Sequence, residues 1–236
     1  MKYLEDIRDK YKGEEIWVIG AGPSLDDYPI DFFKDKICVG VNYVFSVFID
    51  VGDGIGKFAS RAFYSVHEHR KGADWIAKHM PEFLKNCFLL LPPTRRAGMA
   101  WWEDYNEDPY YMKWGLVGGL GVSATGQDFS AMAKCIMDKK GKCSYVCNGT
   151  TLHWAIAAAV VLGAKKIYVV GGEARGGYVK KHGSFYSRIY TPGRDINMGH
   201  WRLGTKYLAK IFKPHGIKIV FYYYNKGEVD PETVTE

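Results

Sequence analysis

The sequence has few cysteines, and none of their spacings is typical of a paired set. Five cysteines occur among 236 residues, an odd number, and the pattern Cys-x-x-Cys does not occur. A disulfide framework usually needs an even set, and a zinc ribbon needs closely spaced pairs. These observations argue against both classes, and the thiols are predicted to be reduced and mostly buried.

Long apolar runs are also missing. No stretch of 18 apolar residues occurs, and the first fifteen residues are rich in charge. A membrane-spanning helix needs about 20 apolar residues, and a secretory signal needs an apolar run of about 7–15. We therefore expect no transmembrane segment, no leader and a cytoplasmic location.

The common phosphate-binding signatures are incomplete. Residues 20–25 (GAGPSL) carry two glycines of the pattern G-x-G-x-x-G, but Leu25 stands where the third is needed. No Gly-Lys-Ser/Thr follows, which excludes a P-loop, and no Asp-x-Asp occurs to clamp a nucleotide diphosphate through a metal. Any phosphate leaving group must then be neutralised by amides, hydroxyls and cationic side chains.

Composition indicates a single globular domain over 1–236 with an anionic partner. Hydrophobic residues make up 47% and charged residues 25%, which is ordinary for a protein with a packed core. The net charge is +6, and residues 172–218 alone carry an excess of eight positive charges. Aromatic residues are frequent at 15%, and six of them fall within residues 101–114.

Strand and helix patterns alternate along most of the chain. Short apolar runs predict strands, and apolar residues at helical spacing predict helices between them. The predicted strands are 15–20, 36–42, 62–66, 87–91, 166–171 and 217–222, and the predicted helices are 73–84, 152–162 and 201–212. This order predicts an α/β fold: a three-layer, mostly parallel Rossmann-like sheet with helices on both faces.

Residues 92–126 lack periodicity and are predicted to form a long lid-like loop. The segment is longer than most structureless connections, and long loops of this kind are often functional. Its aromatic residues at 101–114 suit a lid that stacks on a sugar ring and excludes water. A hydrophobic cluster under a long loop is an equal alternative.

Polar residues and glycines directly follow several predicted strands, where ligands of open α/β sheets bind. Gly20 and Gly22 let the backbone approach a ligand, and Ser24 is placed to cap a short helix, although a plain tight turn has the same pattern. Asn42 ends the second strand, as an amide donor to phosphate or base, or as a turn residue. For both segments, the sequence alone leaves the ligand-binding and the turn interpretations open.

Two further segments carry candidate groups. The residues at 148–151 (NGTT) open the buried helix with free amides, hydroxyls and the positive dipole end, or form a simple N-cap. His200 begins the last helix, where it is either a general base, with an unperturbed pKa of about 6.5, or a structural histidine. His67 and His69 are a weak metal-ligand pair.

Taken together, these segments resemble one family. Residues 20–25 after a strand, Asn42, the helix opened by Thr150 and Thr151, residues 166–173 (KIYVVGGE) and Gly199–His200 occur in this order. They are similar to bacterial sialyltransferase-like glycosyltransferases of the Campylobacter type, within a group that includes motility-accessory-factor flagellin glycosyltransferases. The resemblance spans most of the chain.

The resemblance implies a metal-independent enzyme without a cofactor. It would move a sialic-acid-like sugar from a CMP-activated donor to a hydroxyl of a glycan, protein or other acceptor, and a homo-oligomer is compatible with it. His200 would be the general base, and Tyr178 and Tyr186 would donate to the departing phosphate. The nucleotide would be held by Gly20, Gly22, Ser24, Asn42, Asn148, Thr150, Thr151, Gly172 and Glu173.

The chain departs from the family pattern at two positions. Ser65-Val66-His67 stands where the family has a second asparagine, and Glu173 stands where an aspartate is common. These departures bear on which sugar is used.

Two alternatives from other classes stay open. A magnesium-dependent diphosphokinase of the pterin type resembles the same glycine-proline-serine scaffold, and Asp50 and Asp53 would then bind the metal. A nucleic-acid-binding module, or a transferase acting on nucleic acid, would use the basic segment interleaved with Tyr178, Tyr186 and Tyr190.

Overall fold

A computed structural model describes residues 2–48, 58–67, 70–91, 110–115, 126–137, 145–146, 150–172 and 199–233, which form a mostly parallel α/β fold. The described strands are β1 (Lys2–Tyr3), β2 (Glu15–Ile19), β3 (Ile37–Val41), β4 (Ala62–His67), β5 (Cys87–Leu91), β6 (Tyr110–Gly115), β7 (Tyr145–Val146), β8 (Lys166–Val170), β9 (Lys218–Tyr223) and β10 (Gly227–Val229). The described α-helices are α1 (Arg70–His79), α2 (Gly126–Met137), α3 (Thr151–Val161) and α4 (Gly199–Phe212).

The strands form a sheet in the order β1-β6-β5-β4-β3-β2-β8-β9-β10, with β7 beside β6. Among the described strands every pair is parallel except β9 and β10. Ile16 in the central strand lies opposite Ile37 on one side and Ile167 on the other. The Rossmann-like prediction of a mostly parallel sheet is therefore confirmed.

The core lies around β2, β3, β8 and α3. All five residues of β3 and all eleven of α3 are buried, and α3 contacts β2, β3 and β4. A helix that is apolar all round packs stably only when it is covered on every side, and parallel strands buried on both faces have continuous apolar runs. The uninterrupted hydrophobic segments of the sequence are the direct cause of this arrangement.

The predicted ends of α3 are confirmed. Thr150 is the N-cap residue, and Gly163 follows the helix with φ +96. Glycine adopts this left-handed conformation without a Cβ clash, which is why helices often end on it.

The loop predicted at 92–126 needs correction. Residues Tyr110–Gly115 form β6, which pairs with β5 and carries three of the six clustered aromatic residues. The rest of that segment, 92–109 and 116–125, lies outside the described residues. Aromatic residues favour strands as well as lids, and the partner strand that decides between them is distant in sequence.

Four further elements were missed: β1, α2, β7 and β10. Of these, α2 has a recognisable signal. Its buried residues Phe129, Ala133 and Ile136 follow helical spacing. Strand β10 is three residues long and antiparallel to β9. The alternating strand and helix order of the sequence predicts mostly parallel pairing and gives no sign of this strand.

Glu228 on β10 links the amino-terminal ends of the neighbouring strands. Its carboxylate pairs with Lys166 of β8 and, at 3.1 Å, with Lys218 of β9. Tyr168 donates a hydrogen bond to it at 3.2 Å. The hydrogen bonds from Lys166 and Lys218 lower the pKa of Glu228 from 4.5 to about 2. This group of three charged side chains lies at the amino-terminal ends of β8 and β9.

Within the residues described, no helix is both long enough and apolar enough to cross a membrane.

Candidate functional site

The strand order reverses next to the central strand. The chain runs from β2 outward through β3, β4 and β5 to β6, and then returns to place β8 on the other side of β2. In open α/β sheets such a reversal leaves a crevice beyond the carboxyl ends of the two strands, where ligands bind. The loops after β2 and β8 therefore border the candidate site.

These two loops are in direct backbone contact. The Gly20 amide donates to the carbonyl of Val170 at 2.7 Å, and the Gly22 amide donates to that of Gly171 at 2.8 Å. A Cβ on Gly20 would lie 2.3 Å from the Gly171 oxygen, and Gly171 has φ +63. Loop packing alone thus requires glycine at positions 20 and 171, whatever the crevice binds.

Ser24 does not cap the short helix that follows. The 3-10 segment Pro23–Asp27 has Gly22 as its N-cap residue, so Ser24 lies inside the segment, partly buried. Proline suits the first helical position because its φ is fixed and the amide it lacks has no partner there. The capping expectation for Ser24 was wrong, although its position beside the crevice is as expected.

Asn42 directly follows β3 in a strained conformation. Its φ is +48, which is uncommon for a residue other than glycine and is tolerated best by asparagine and aspartate. Its side-chain Nδ2 donates to the Thr151 hydroxyl at 3.4 Å, a long hydrogen bond. This contact joins the end of β3 to the first turn of α3.

The start of α3 is fixed by a capping interaction. The Thr150 amide donates to Nδ1 of His153 at 3.0 Å, so a histidine takes the position usually held by glutamate or glutamine in a capping box. The ring of Phe129 meets the His153 ring edge-on, with centroids 5.0 Å apart. The positive end of the α3 dipole and the Thr151 hydroxyl are thereby held at the sheet edge.

Gly172 lies against the same turn. A Cβ at Gly172 would lie 3.0 Å from Val169 Cγ1 and 3.2 Å from Leu152 Cδ2. The loop after β8 and the start of α3 are therefore close-packed neighbours.

Helix α4 begins near this edge. Gly204 packs on His153, since a Cβ there would lie 2.3 Å from the ring. His200 is four residues earlier, one helical turn or about 6 Å along the axis. His200 therefore lies in the first turn of α4, one turn before Gly204. The side chain of His200 lies outside the described residues.

Several residues that the sequence assigns to a site are not among those that the structure describes. These are Asn148, Glu173, Tyr178 and Tyr186 of the proposed transferase site, and Asp50 and Asp53 of the diphosphokinase alternative. The structure brings together Gly20, Gly22, Asn42, Thr150, Thr151 and Gly172.

The sequence suggested only a weak metal-ligand role for His67 and no binding role for Ser65. Both are buried at the carboxyl end of β4, and Ser65 Oγ lies 2.6 Å from His67 Nε2. Residues two apart on a strand share a face, so their pairing was readable from the sequence. His69, the other member of the metal-ligand pair that the sequence suggests, lies outside the described residues. Within the described residues, no group of three or more histidine, cysteine or acidic side chains is arranged to hold a metal ion.

Comparison of the chain with protein family models, with curated proteins and with solved structures gave no match.

Proposed function

We propose that the chain is a metal-independent glycosyltransferase that takes a sialic-acid-like sugar from a CMP-activated donor. The observation that carries the proposal is the crevice at the strand reversal, where the side-chain amide of Asn42 and the hydroxyl of Thr151 meet at the start of α3. These groups are neutral donors, the kind that neutralises a phosphate without a metal. The family resemblance supplies the identity of the nucleotide.

The chemistry proposed is displacement at the anomeric carbon. The bond from that carbon to the CMP phosphate breaks, the bond to the acceptor oxygen forms, and His200 takes the acceptor's hydroxyl proton. Negative charge develops on the departing phosphate, where fixed donors contribute most to catalysis. Thr150, Thr151 and the first amides of α3 are assigned to that phosphate, with Tyr178 and Tyr186 as further donors.

Other residues of the site are assigned to the nucleotide itself. Gly20, Gly22, Ser24 and Asn42 bind the nucleotide, together with Asn148, Gly172 and Glu173. The acceptor is a glycan, protein or other hydroxyl compound, and the enzyme acts in the cytoplasm without a cofactor. The three-layer arrangement and the lid formed by the remainder of residues 92–126 stay predictions.

A thermal-shift panel tests the nucleotide preference. The protein is heated with CMP, UDP, GDP, ADP or ATP, each with magnesium and with EDTA. Binding raises the melting temperature by mass action, so a shift with CMP that persists in EDTA is the expected result. A shift only with ATP and magnesium would favour the diphosphokinase, and no shift with any nucleotide would contradict the proposal.

The general base is tested separately from binding. We expect the Kd of His200→Ala for CMP to stay within about twofold of the wild-type value. Its transfer rate should fall about 10²- to 10⁴-fold. Lys226→Ala, an exposed charge change in the turn between β9 and β10, is the matched control and should keep both. Full transfer by His200→Ala would remove that residue from its role.

One observation favours the nucleic-acid alternative for the acceptor. Arg202, Lys206 and Lys210 repeat every fourth residue along α4, and none of them has an ion pair in the described part of the chain. Such a basic line suits a phosphate backbone, but it is also typical of a solvated helix face. A steep fall of RNA or DNA affinity with salt would support this acceptor, and no binding at low salt would exclude it.

A further inference from the structure

A chain of hydrogen bonds runs beneath the candidate site from β4 to α3. His67 Nε2 and Ser65 Oγ are 2.6 Å apart, and Ser65 Oγ donates to the backbone carbonyl of Asn42 at 3.4 Å. The side chain of Asn42 then donates to Thr151 Oγ1, also at 3.4 Å. Four residues on three neighbouring elements are therefore linked in series.

The direction of the chain follows from proton counting. A carbonyl oxygen only accepts, so the single hydroxyl proton of Ser65 is used by the bond to Asn42. When both bonds of Ser65 are made, His67 Nε2 must carry a proton and donate it. The imidazole tautomer assigned in this way has its proton on Nε2, and Ser65 relays that donor to the Asn42 carbonyl.

The Asn42 backbone needs such support. With φ +48 it is in the left-handed region, which an asparagine tolerates but does not prefer over extended or helical conformations. A residue held in this region persists when its surroundings fix it, and such residues are common at ligand sites. The carbonyl held by Ser65 is one such constraint, and it acts on the same residue whose amide faces α3.

His67 and Ser65 themselves are enclosed. Their exposed fractions are 1% and 0%, and the ring of Phe45 lies 5.9 Å from that of His67, centroid to centroid. A buried pair of this kind orients a neighbour without itself touching a ligand in the crevice. The two residues stand where the resembled family has a second asparagine.

We propose that His67 and Ser65 are positioning residues that hold Asn42 in its left-handed conformation and so orient its amide toward Thr151 and the bound nucleotide phosphate. The inference rests on the proposed function of the crevice as a CMP site. It assigns to two buried residues of β4 a role in ligand affinity that acts through Asn42.

Calorimetric titration with CMP tests the role in binding. We expect Ser65→Ala and His67→Phe to raise the Kd for CMP about five- to tenfold, the loss typical of one hydrogen bond. His67→Gln retains a donor at the Nε2 position and should stay within about twofold of the wild type. Loss of affinity in His67→Gln equal to that in His67→Phe would overturn the role of the Nε2 donor.

A double-mutant cycle separates positioning from general destabilisation. If Ser65 acts through Asn42, Ser65→Ala should raise the Kd by less than about twofold in an Asn42→Gly background, because glycine has no side-chain amide to orient and adopts the left-handed conformation unaided. The full five- to tenfold effect in that background would overturn the proposal.

A readout without ligand keeps the inference independent of the proposed function. The ¹³Cα and ¹³Cβ chemical shifts of Asn42 report its backbone conformation, and we expect them to move away from left-handed values in Ser65→Ala and His67→Phe but not in His67→Gln. If the wild type binds no CMP, the proposed function fails and this comparison alone decides the relay. Unchanged Asn42 shifts in folded Ser65→Ala would overturn it.

Discussion

Substitution of Gly20 by alanine tests the packing of the two loops that border the crevice. The added Cβ would lie 2.3 Å from the Gly171 oxygen, whereas ordinary contacts lie at 3.4–4 Å. The obstructing atom is backbone, so no side-chain rotation relieves the clash. The loops after β2 and β8 must therefore separate by about 1 Å to accept the methyl group.

The expected cost follows from two terms. Overpacking of this kind costs about 1–3 kcal/mol, and each stretched hydrogen bond about 0.5–1.5 kcal/mol. Two such bonds, of 2.7 and 2.8 Å, cross the gap. We expect Gly20→Ala to lower the free energy of unfolding by about 3 kcal/mol, which at this size corresponds to about 6–12 °C in melting temperature.

Urea denaturation measures this loss, with the same dependence of unfolding free energy on urea concentration expected for both proteins. Gly216→Ala is the matched control. Gly216 has φ +75 but open space around its Cβ position. Its substitution carries only backbone strain, about 1 kcal/mol. If Gly20→Ala costs no more than Gly216→Ala, the close contact of the two loops is refuted.

Three more predictions concern other parts of the fold. Glu228→Gln should cost about 1 kcal/mol, since its carboxylate is 36% exposed and solvent screens its ion pairs. Because folding lowers the pKa of Glu228 from 4.5 to about 2, its contribution is present above pH 4.5 and is lost as the pH falls from 4.5 toward 2. Cys38 and Cys87 should not react with Ellman's reagent in the native protein, because burial raises the pKa of both thiols. Gly204→Ala should cost about 2 kcal/mol, because its Cβ would lie 2.3 Å from the His153 ring.

Each of these has its own control. The loss of stability between pH 4.5 and 2 should be smaller in Glu228→Gln than in the wild type, and an equal loss in both would contradict the contribution of Glu228. Both thiols should react once urea has unfolded the chain, whereas labelling before unfolding would show that they are accessible. The cost of Gly204→Ala should shrink when His153→Ala removes the ring, and equal costs in both backgrounds would contradict the contact.

The sequence predicted the elements whose signals are local. The apolar run 152–162 with Thr150 before it and Gly163 after it specifies α3, because the cap and the stop are fixed by neighbouring residues. The buried central strands were readable for the same reason, since parallel strands covered on both faces are continuously apolar.

The sequence could not predict what depends on distant partners. Strand β6 was taken for part of a loop because its pairing with β5 and with the two residues of β1 is not encoded locally. Gly20 was interpreted as a ligand-binding glycine, but its neighbour Gly171 is about 150 residues away and accounts for it by packing. The positions of Asn42 and Thr151 as neighbours likewise required the sheet order.

Amide NMR during a CMP titration in EDTA tests the central claim most directly. The account predicts saturable shifts at the amides of Gly20, Gly22, Thr151 and Gly172, while Gly216, which lies just before β9 at the opposite edge, is unchanged. Saturation without a metal would place the nucleotide at the strand reversal. No shifts, or shifts confined to the Gly216 edge, would contradict the account.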